Sequence, residues 1–540
     1  ELVFGDWSSD VCSSDLVIES LAGKPDWIRI GAGTAETRLA FRWPLAHFSA
    51  ETFDYHAAAR IQGLEVPEFH GYRWTQKSLL ASLDRNAIAV SGTDGAAAPV
   101  SDPKKVIPIQ KVEAKGELAY APAGVTVSDF SADLGGPALR FSGALQAAEP
   151  YPRLKFDGTV DNLPTERLIG GWPDRFAPAV KEWIGSHASG GKITHASVRL
   201  DLDPGAAPTL KALPESAVAV EGAFSGITIG KILSLPAAVL EEGTFTLSPD
   251  AARIRLASGT IGASRVTAAK ADITGIRKGT PAAEIQAEIE GPAAELIEAA
   301  ANLPGEKRKG LKPPAVTEAQ ARTRARVQFP ILKTITAADV DYSLETDIAD
   351  IRIQDYLGLT LSDGKATAAL ANGRLSLEGT IASGGTPVAV TWKRGGDSRE
   401  TITLKATLDP ANHADFRLPP LPFLKGTIPA RAELQVTEAG IEIESRLDLT
   451  QPAVDLKRWG WVKKAGARAV LEGRGTLTEG GTLTVSRLAL SGRNLDIRGT
   501  GTLTLGEAPA MDLQFDPVKA GKHRLTAGLS FEKQDRKSVV

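Results

Sequence analysis

Five times along this chain the same seven-residue phrase recurs, apolar-x-apolar-x-Gly-x-apolar. It reads Leu139-Arg-Phe141-Ser-Gly143-Ala-Leu145, then Leu154-Lys-Phe156-Asp-Gly158-Thr-Val160, then Val218-Ala-Val220-Glu-Gly222-Ala-Phe224. Leu375-Ser-Leu377-Glu-Gly379-Thr-Ile381 is a fourth copy and Leu495-Asp-Ile497-Arg-Gly499-Thr-Gly501 a looser fifth. Alternation of period two puts every apolar residue of a strand on one face. A glycine on that face weakens the strand and marks a bulge, a bend or a close backbone approach. Recurring at one place in the phrase, it predicts a sheet that curves in a regular way.

A longer repeat points the same way. Asp54-Tyr55 matches Asp341-Tyr342, and Ile61, Leu64 and Val66 match Ile348, Ile351 and Ile353, each pair 287 positions apart (341 − 54). Leu83, Ile88, Val90 and Gly92 match Leu370, Leu375, Leu377 and Gly379 at the same distance. The flanks slip by one: Trp43-Pro44-Leu45 answers Phe329-Pro330-Ile331, and Pro99-Val100 answers Pro387-Val388. Residues 44–100 and 330–388 therefore read as two copies of one β unit, and such repetition argues for an elongated array in which neighbours cover one another.

Helix signals are few. Phe176, Val180, Trp183 and Ile184 form one helical stripe, with Asp174 placed to cap it, Pro178 in its first turn and Gly190-Gly191 beyond its end. Pro292 to Asn302 is a second candidate, and Asp94–Pro108 and Leu303–Val316 read as loops. The expected architecture is mostly β, an elongated twisted antiparallel sheet with one or two short helices. Its segments are 16–165 with the first repeat copy, 166–325 with the helices, and 326–534 with the second copy.

Both ends read differently. Residues 1–15 and the closing DRKSVV at 535–540 resemble translated sequencing adapter, so 16–534 is expected to be an internal fragment of a longer protein. Removing those ends takes five acidic residues from 65 and two basic ones from 62, leaving a neutral balance. A neutral chain has no electrostatic basis for nucleic-acid binding. The only cysteine, Cys12, lies in the suspect end, so neither disulfides nor thiol chemistry hold the rest together.

Catalytic and metal motifs were sought among the remaining residues. His47, His56 and His70 lack the spacing of a metal site. The run Gly185 to Ile193 departs from a phosphate loop by one residue and ends on Ile193 in place of a hydroxyl. Gly31-Ala-Gly33 completes no dinucleotide fingerprint, and the carboxylates are spread along polar strand faces. The chain is expected to be no enzyme, with no cofactor and no metal.

Two stretches resemble a known family. Gly171-Trp-Pro-Asp-Arg-Phe-Ala-Pro-Ala-Val-Lys-Glu-Trp-Ile-Gly-Ser-His-Ala-Ser-Gly-Gly-Lys-Ile193 is similar to the helix-then-strand signature of YhdP-type AsmA-like proteins, and so is Ala325 to Tyr342 with the strands after it. The resemblance implies a β-groove that is open along its length. It also implies a periplasmic protein of a Gram-negative cell, anchored in the inner membrane by a segment that would precede this fragment. The implied cargo is phospholipid moving toward the outer membrane, where a partner could receive it, in support of the permeability barrier. Leu139, Phe141, Leu154, Phe156, Val218, Val220, Leu375, Leu377, Leu495 and Ile497 are the expected lining residues, with a sealed sandwich core as the competing role for each. A β-solenoid adhesin and an assembly factor for outer-membrane proteins are the alternative functions.

Overall fold

The computed structural model describes Trp7–Ser8 and, between 31 and 532, all but short connecting segments, of which 43–53, 204–212 and 302–315 are the longest. The chain forms one large antiparallel sheet of 27 strands that does not close on itself, with three short helices. From Ala32–Arg42 to His523–Glu532, each long strand pairs with the next long strand in the chain. The helices are α1 (Thr165–Gly171), α2 (Pro178–His187) and α3 (Ala293–Ala301). A separate three-stranded sheet joins Leu424–Lys425, Ala453–Leu456 and Trp461–Lys463.

The recurring phrase explains the pairing. Run antiparallel, two copies interlock: Leu139 faces Val160, Phe141 faces Gly158, Gly143 faces Phe156 and Leu145 faces Leu154. Gly158 lies against the Phe156 ring and the Phe141 Cβ, and Gly143 against the backbone of Lys155 and Phe156, a packing that compensates a glycine in a strand. The same exchange sets Gly222 against Phe245, Phe224 against Gly243, and Gly499 against Phe515. A Cβ on Gly222 would lie 2.6 Å from the carbonyl oxygen of His195 and 2.8 Å from the Phe245 ring. Gly116, Gly143, Gly379, Gly475 and Gly501 likewise have a neighbouring strand's carbonyl where a Cβ would go. A backbone leaning in on that side means the strands bend toward their apolar face.

The repeat is structural as well as sequential. Strands Asp54–Phe69 and Tyr72–Asp84 correspond to Asp341–Tyr356 and Leu359–Ala371, with both ends of both strands 287 positions apart. In each copy the tyrosine hydroxyl holds the turn of the next hairpin: Tyr55 donates to the Arg85 carbonyl at 2.7 Å, and Tyr342 accepts from the Gly373 amide at 3.2 Å. Arg85 and Asn372 both have positive φ, as do Gly63 and Asp350. The match ends after Gly92 and Gly379, because Ala87–Pro99 runs on while its counterpart stops at Ser383 and turns through Gly384-Gly385. The shared unit is therefore shorter than 44–100 and 330–388; Trp43-Pro44-Leu45 lies outside the described residues.

Other local expectations are corrected. Asp94–Pro108 is no loop: the strand continues to Pro99 and the next begins at Ile107. Asp94 takes φ 59°, a left-handed residue inside a strand whose register with both neighbours is kept across it. Among the described residues α1 joins the two helices that the sequence marks. Helix α2 starts at Pro178, with proline in the first position it tolerates best; Asp174 lies outside the described residues.

The sheet has little second layer. Among the described residues the only other sheet is the three-stranded one.

If the glycines serve close approach, Gly222→Ala lowers stability by about 1–3 kcal/mol through overpacking. Gly170→Ala, where nothing lies within 4 Å, leaves stability unchanged or raises it by about 0.5–1 kcal/mol. Thermal denaturation of the two variants beside the parent checks this, and equal midpoints would remove the packing role.

Candidate functional site

Following directly opposed residues across the sheet traces which side chains share a face. One row runs Ile61, Leu79, Gly92, Val112, Ala132, Leu139, Val160, Ala196, Gly222, Phe245, Ile254, Ala271, Ile285, Val327 and Tyr342. Fifteen consecutive strands contribute to it without a polar residue. A second row carries the same face onward through Leu377, Trp392, Ile402, Leu434, Ile443, Gly475, Val485, Gly501 and Leu513.

The opposite face reads Arg140, Thr159, Ser197, Glu221, Thr246, Arg253, Asp272, Glu284, Gln328 and Asp341. Cross-strand ion pairs stitch it, among them Arg199 to Asp157 and Arg326 to Glu284, both 2.9 Å. Hydrogen bonds from Arg326, Gln286 and Gln328 hold the Glu284 carboxyl down to about 2. A pocket of about 780 Å³ lies on this polar face, lined by Arg140, Asp157, Arg199, Glu221 and Arg253 among others. It fits the saddle that strand twist imposes, and its Arg199 and Arg253 already face Asp157 and Asp272.

The apolar face is only partly sealed. Helix α2 and Trp172 cover Leu247, Ala252 and Ile273, and Trp183 of α2 reaches Ala283 and Phe329. Helix α3 covers Ala321 and Ile348 at one margin. Leu213 and Ala217 cover Val218, and the three-stranded sheet packs Leu424 and Val454 on Leu408 and Ile428. That sheet is pinned by Lys463, whose Nζ donates to the carbonyls of Thr450, Pro452 and Lys464; burial pushes its pKa down. Between these covers most residues of the apolar rows are half-buried, apart from a fully buried cluster of Ile193, Ala196, Phe224, Leu256 and Val266 that packs with Leu168 of α1.

The covers also measure the curvature. Val180 of α2 packs with Ile276, beside the strand ends at Leu247 and Ala252. At the other end of α2 the His187 carbonyl accepts from the Gly230 amide at 2.7 Å, beyond the far end of strand Val218–Ile229. That strand is about 36 Å long, yet Val180 and His187 are only about 10 Å apart along the helix. Both margins can reach so short a helix only if the sheet bends around it, with the apolar face inside. The result is a trough.

Nine of the ten expected lining residues can be placed by their side chains. Leu139, Phe141, Leu154, Phe156, Val220, Leu375, Leu377 and Ile497 are half-buried on the trough face. Val218 shares that face but is fully buried under Leu213 and Ala217, so it belongs to a sealed patch. Leu495 pairs with Gly492 in the sheet, and its side chain lies outside the described residues. Sequence reading missed Phe130, which stacks on Phe141 at 4.0 Å, with Phe141 in turn 5.0 Å from Phe156. The three rings form the densest aromatic patch of the trough.

No helix among the described residues is long and apolar enough to cross a membrane, and no group of three or more potential metal ligands occurs among them. No family model, curated protein or solved structure matches the chain.

The polar ladder gives a pH dependence with a definite sign. A carboxyl held low in the folded state stabilises the fold above its ordinary value and loses that contribution as the pH falls toward its folded value. Between pH 5 and 2 the parent therefore loses more thermal stability than Glu284→Gln, and parallel melting curves for the two would contradict this.

Proposed function

We propose that this chain is part of an AsmA-like envelope protein that carries phospholipid by its acyl chains along the trough, between inner and outer membrane. The observation that carries this reading is the apolar face, traced along two rows that together take in 24 of the 27 strands, and mostly half-buried. At strand spacing the path along the sheet is about 125 Å. An acyl chain occupies half of a bilayer core, about 15 Å. A surface that long exceeds any single lipid many times over, which suits a path better than a pocket. Each methylene taken out of water is worth about 0.8 kcal/mol, and an apolar face without gaps offers that gain at every step. Headgroups stay in water at the open side, so no polar lining is required.

The wider setting follows from the resemblance: a periplasmic location, an inner-membrane anchor in the full-length protein and a receiving partner at the outer membrane. The adhesin alternative is disfavoured by pairing, since a β-solenoid stacks parallel coils and every pairing here is antiparallel. An assembly factor for outer-membrane proteins would work through free edges, of which this sheet has two for 27 strands. Its uncovered face is far more extensive.

Incubation with a phospholipid carrying a photoreactive acyl chain tests the proposal. The parent is expected to crosslink, and Phe156→Asp combined with Leu377→Asp to reduce crosslinking at least fivefold with unchanged far-UV circular dichroism. Undiminished crosslinking in that variant would count decisively against acyl-chain carriage.

A further inference from the structure

Helix α2 sits in the trough and joins its two margins. Its Val180, Trp183 and Ile184 occupy the row Leu247, Ala252, Ile273, Ala283 and Phe329. Those are the same kind of apolar positions, on the same face, that lie open elsewhere along the sheet. An acyl chain on the trough floor and this helix therefore compete for one surface. We propose that α2 is a strap over an occluded lipid subsite, and that lipid occupies the floor beneath it only when α2 lifts. This rests on the acyl-carrier reading and adds where along the path passage is controlled.

Three features fit a strap rather than a permanent core element. The contact is imperfect: Trp183 Nε1 is buried with no hydrogen-bond partner, and an unmade bond of that kind disfavours the closed arrangement. Lifting α2 returns that N–H to water or to an ester oxygen of a bound lipid. Glycines lie on both sides: Gly170 and Gly171 end α1, and Gly190 and Gly191, with φ of 64° and 65°, come after the short strand Ala188–Ser189 that ties the end of α2 to Thr228 and Ile229. The sheet beneath does not need the helix for pairing, because Ala238–Leu247, Ala251–Ile261 and Ser264–Thr274 are paired on both sides by their neighbours.

The test places a photoreactive benzoylphenylalanine at Phe329, beneath α2, or at Phe156, in the uncovered stretch. Both are made in the full chain with Cys12→Ser, Val180→Cys and Ile276→Cys, so that oxidation ties the strap down and reductant frees it. With phosphatidylglycerol–phosphatidylethanolamine vesicles as the lipid source, labelling at Phe329 is expected to fall at least fivefold on oxidation and return on reduction. Labelling at Phe156 should hold steady throughout. Equal labelling at Phe329 in the two states overturns the strap while leaving lipid carriage intact, whereas no labelling at either position overturns lipid carriage itself. A variant that needs no crosslink, Val180→Asp, weakens the contact from the helix side. It is expected to raise labelling at Phe329 at least twofold, and no increase would equally overturn the strap.

Discussion

Everything in this molecule depends on side-chain parity. In a strand, a shift of one residue sends every later side chain to the other face, and a trough spanning 27 strands survives only if parity is kept throughout. The chain does not achieve this by unbroken alternation. Val127 and Phe130 are three apart, as are Ile193 and Ala196, Val266 and Ala269, Ile348 and Ile351, and Val485 and Leu488, yet both members of each pair lie on the apolar side. A register shift at each of these places absorbs the extra residue. Bulges bend the strand that carries them and increase its twist, so one device both preserves the face and curves it.

Curvature in turn decides how the glycines are used. Bending toward the apolar side crowds that side, and a Cβ is the first atom with nowhere to go. Removing it at Gly143, Gly222 and Gly243 lets the neighbouring backbone lean in, and the Phe156, Phe245 and Phe224 rings fill the space at Gly158, Gly222 and Gly243. Small and large residues alternate across the strands for the same reason that cores interdigitate. Here the interdigitation runs sideways within one layer, because among the described residues no second sheet lies opposite these strands.

Much of this was legible in the residues. The heptapeptide phrase identified the strands, the face and the presence of close approach, and the Asp-Tyr pair located both copies of the repeated unit. What escaped was anything that depends on the partner strand. The phrase shows a glycine but not which ring will cover it, so Phe130 and Phe245 went unnoticed. The odd spacings were also misjudged. Asp94-Gly95 looks like a loop because that dipeptide favours turns, whereas pairing of Thr93 with Ser78 and of Gly95 with Gln76 keeps it within a strand. Val218 failed as an open lining residue because the segment that covers it, Leu213 to Ala217, has no periodic signal of its own.

A single-layered sheet of this size also needs an account of why it stays folded. Stability in such arrays comes from each strand's contacts with its two neighbours, and the alternating ion pairs of the outer face contribute little individually because they are exposed. Fully buried residues lie under α2, under α3, under Leu213–Ala217 and under the small sheet held by Lys463, and also in a cluster of Ile193, Ala196, Phe224, Leu256 and Val266 that packs with Leu168 of α1. These covers anchor the ribbon at intervals while leaving the stretches between them uncovered. If the entire apolar face were sealed, stability would rise and the surface would lose its capacity for a guest. If none were, the ribbon would rest on strand pairing alone. Intermittent cover satisfies both demands, which is why the covers are short, of different kinds and spread along the chain.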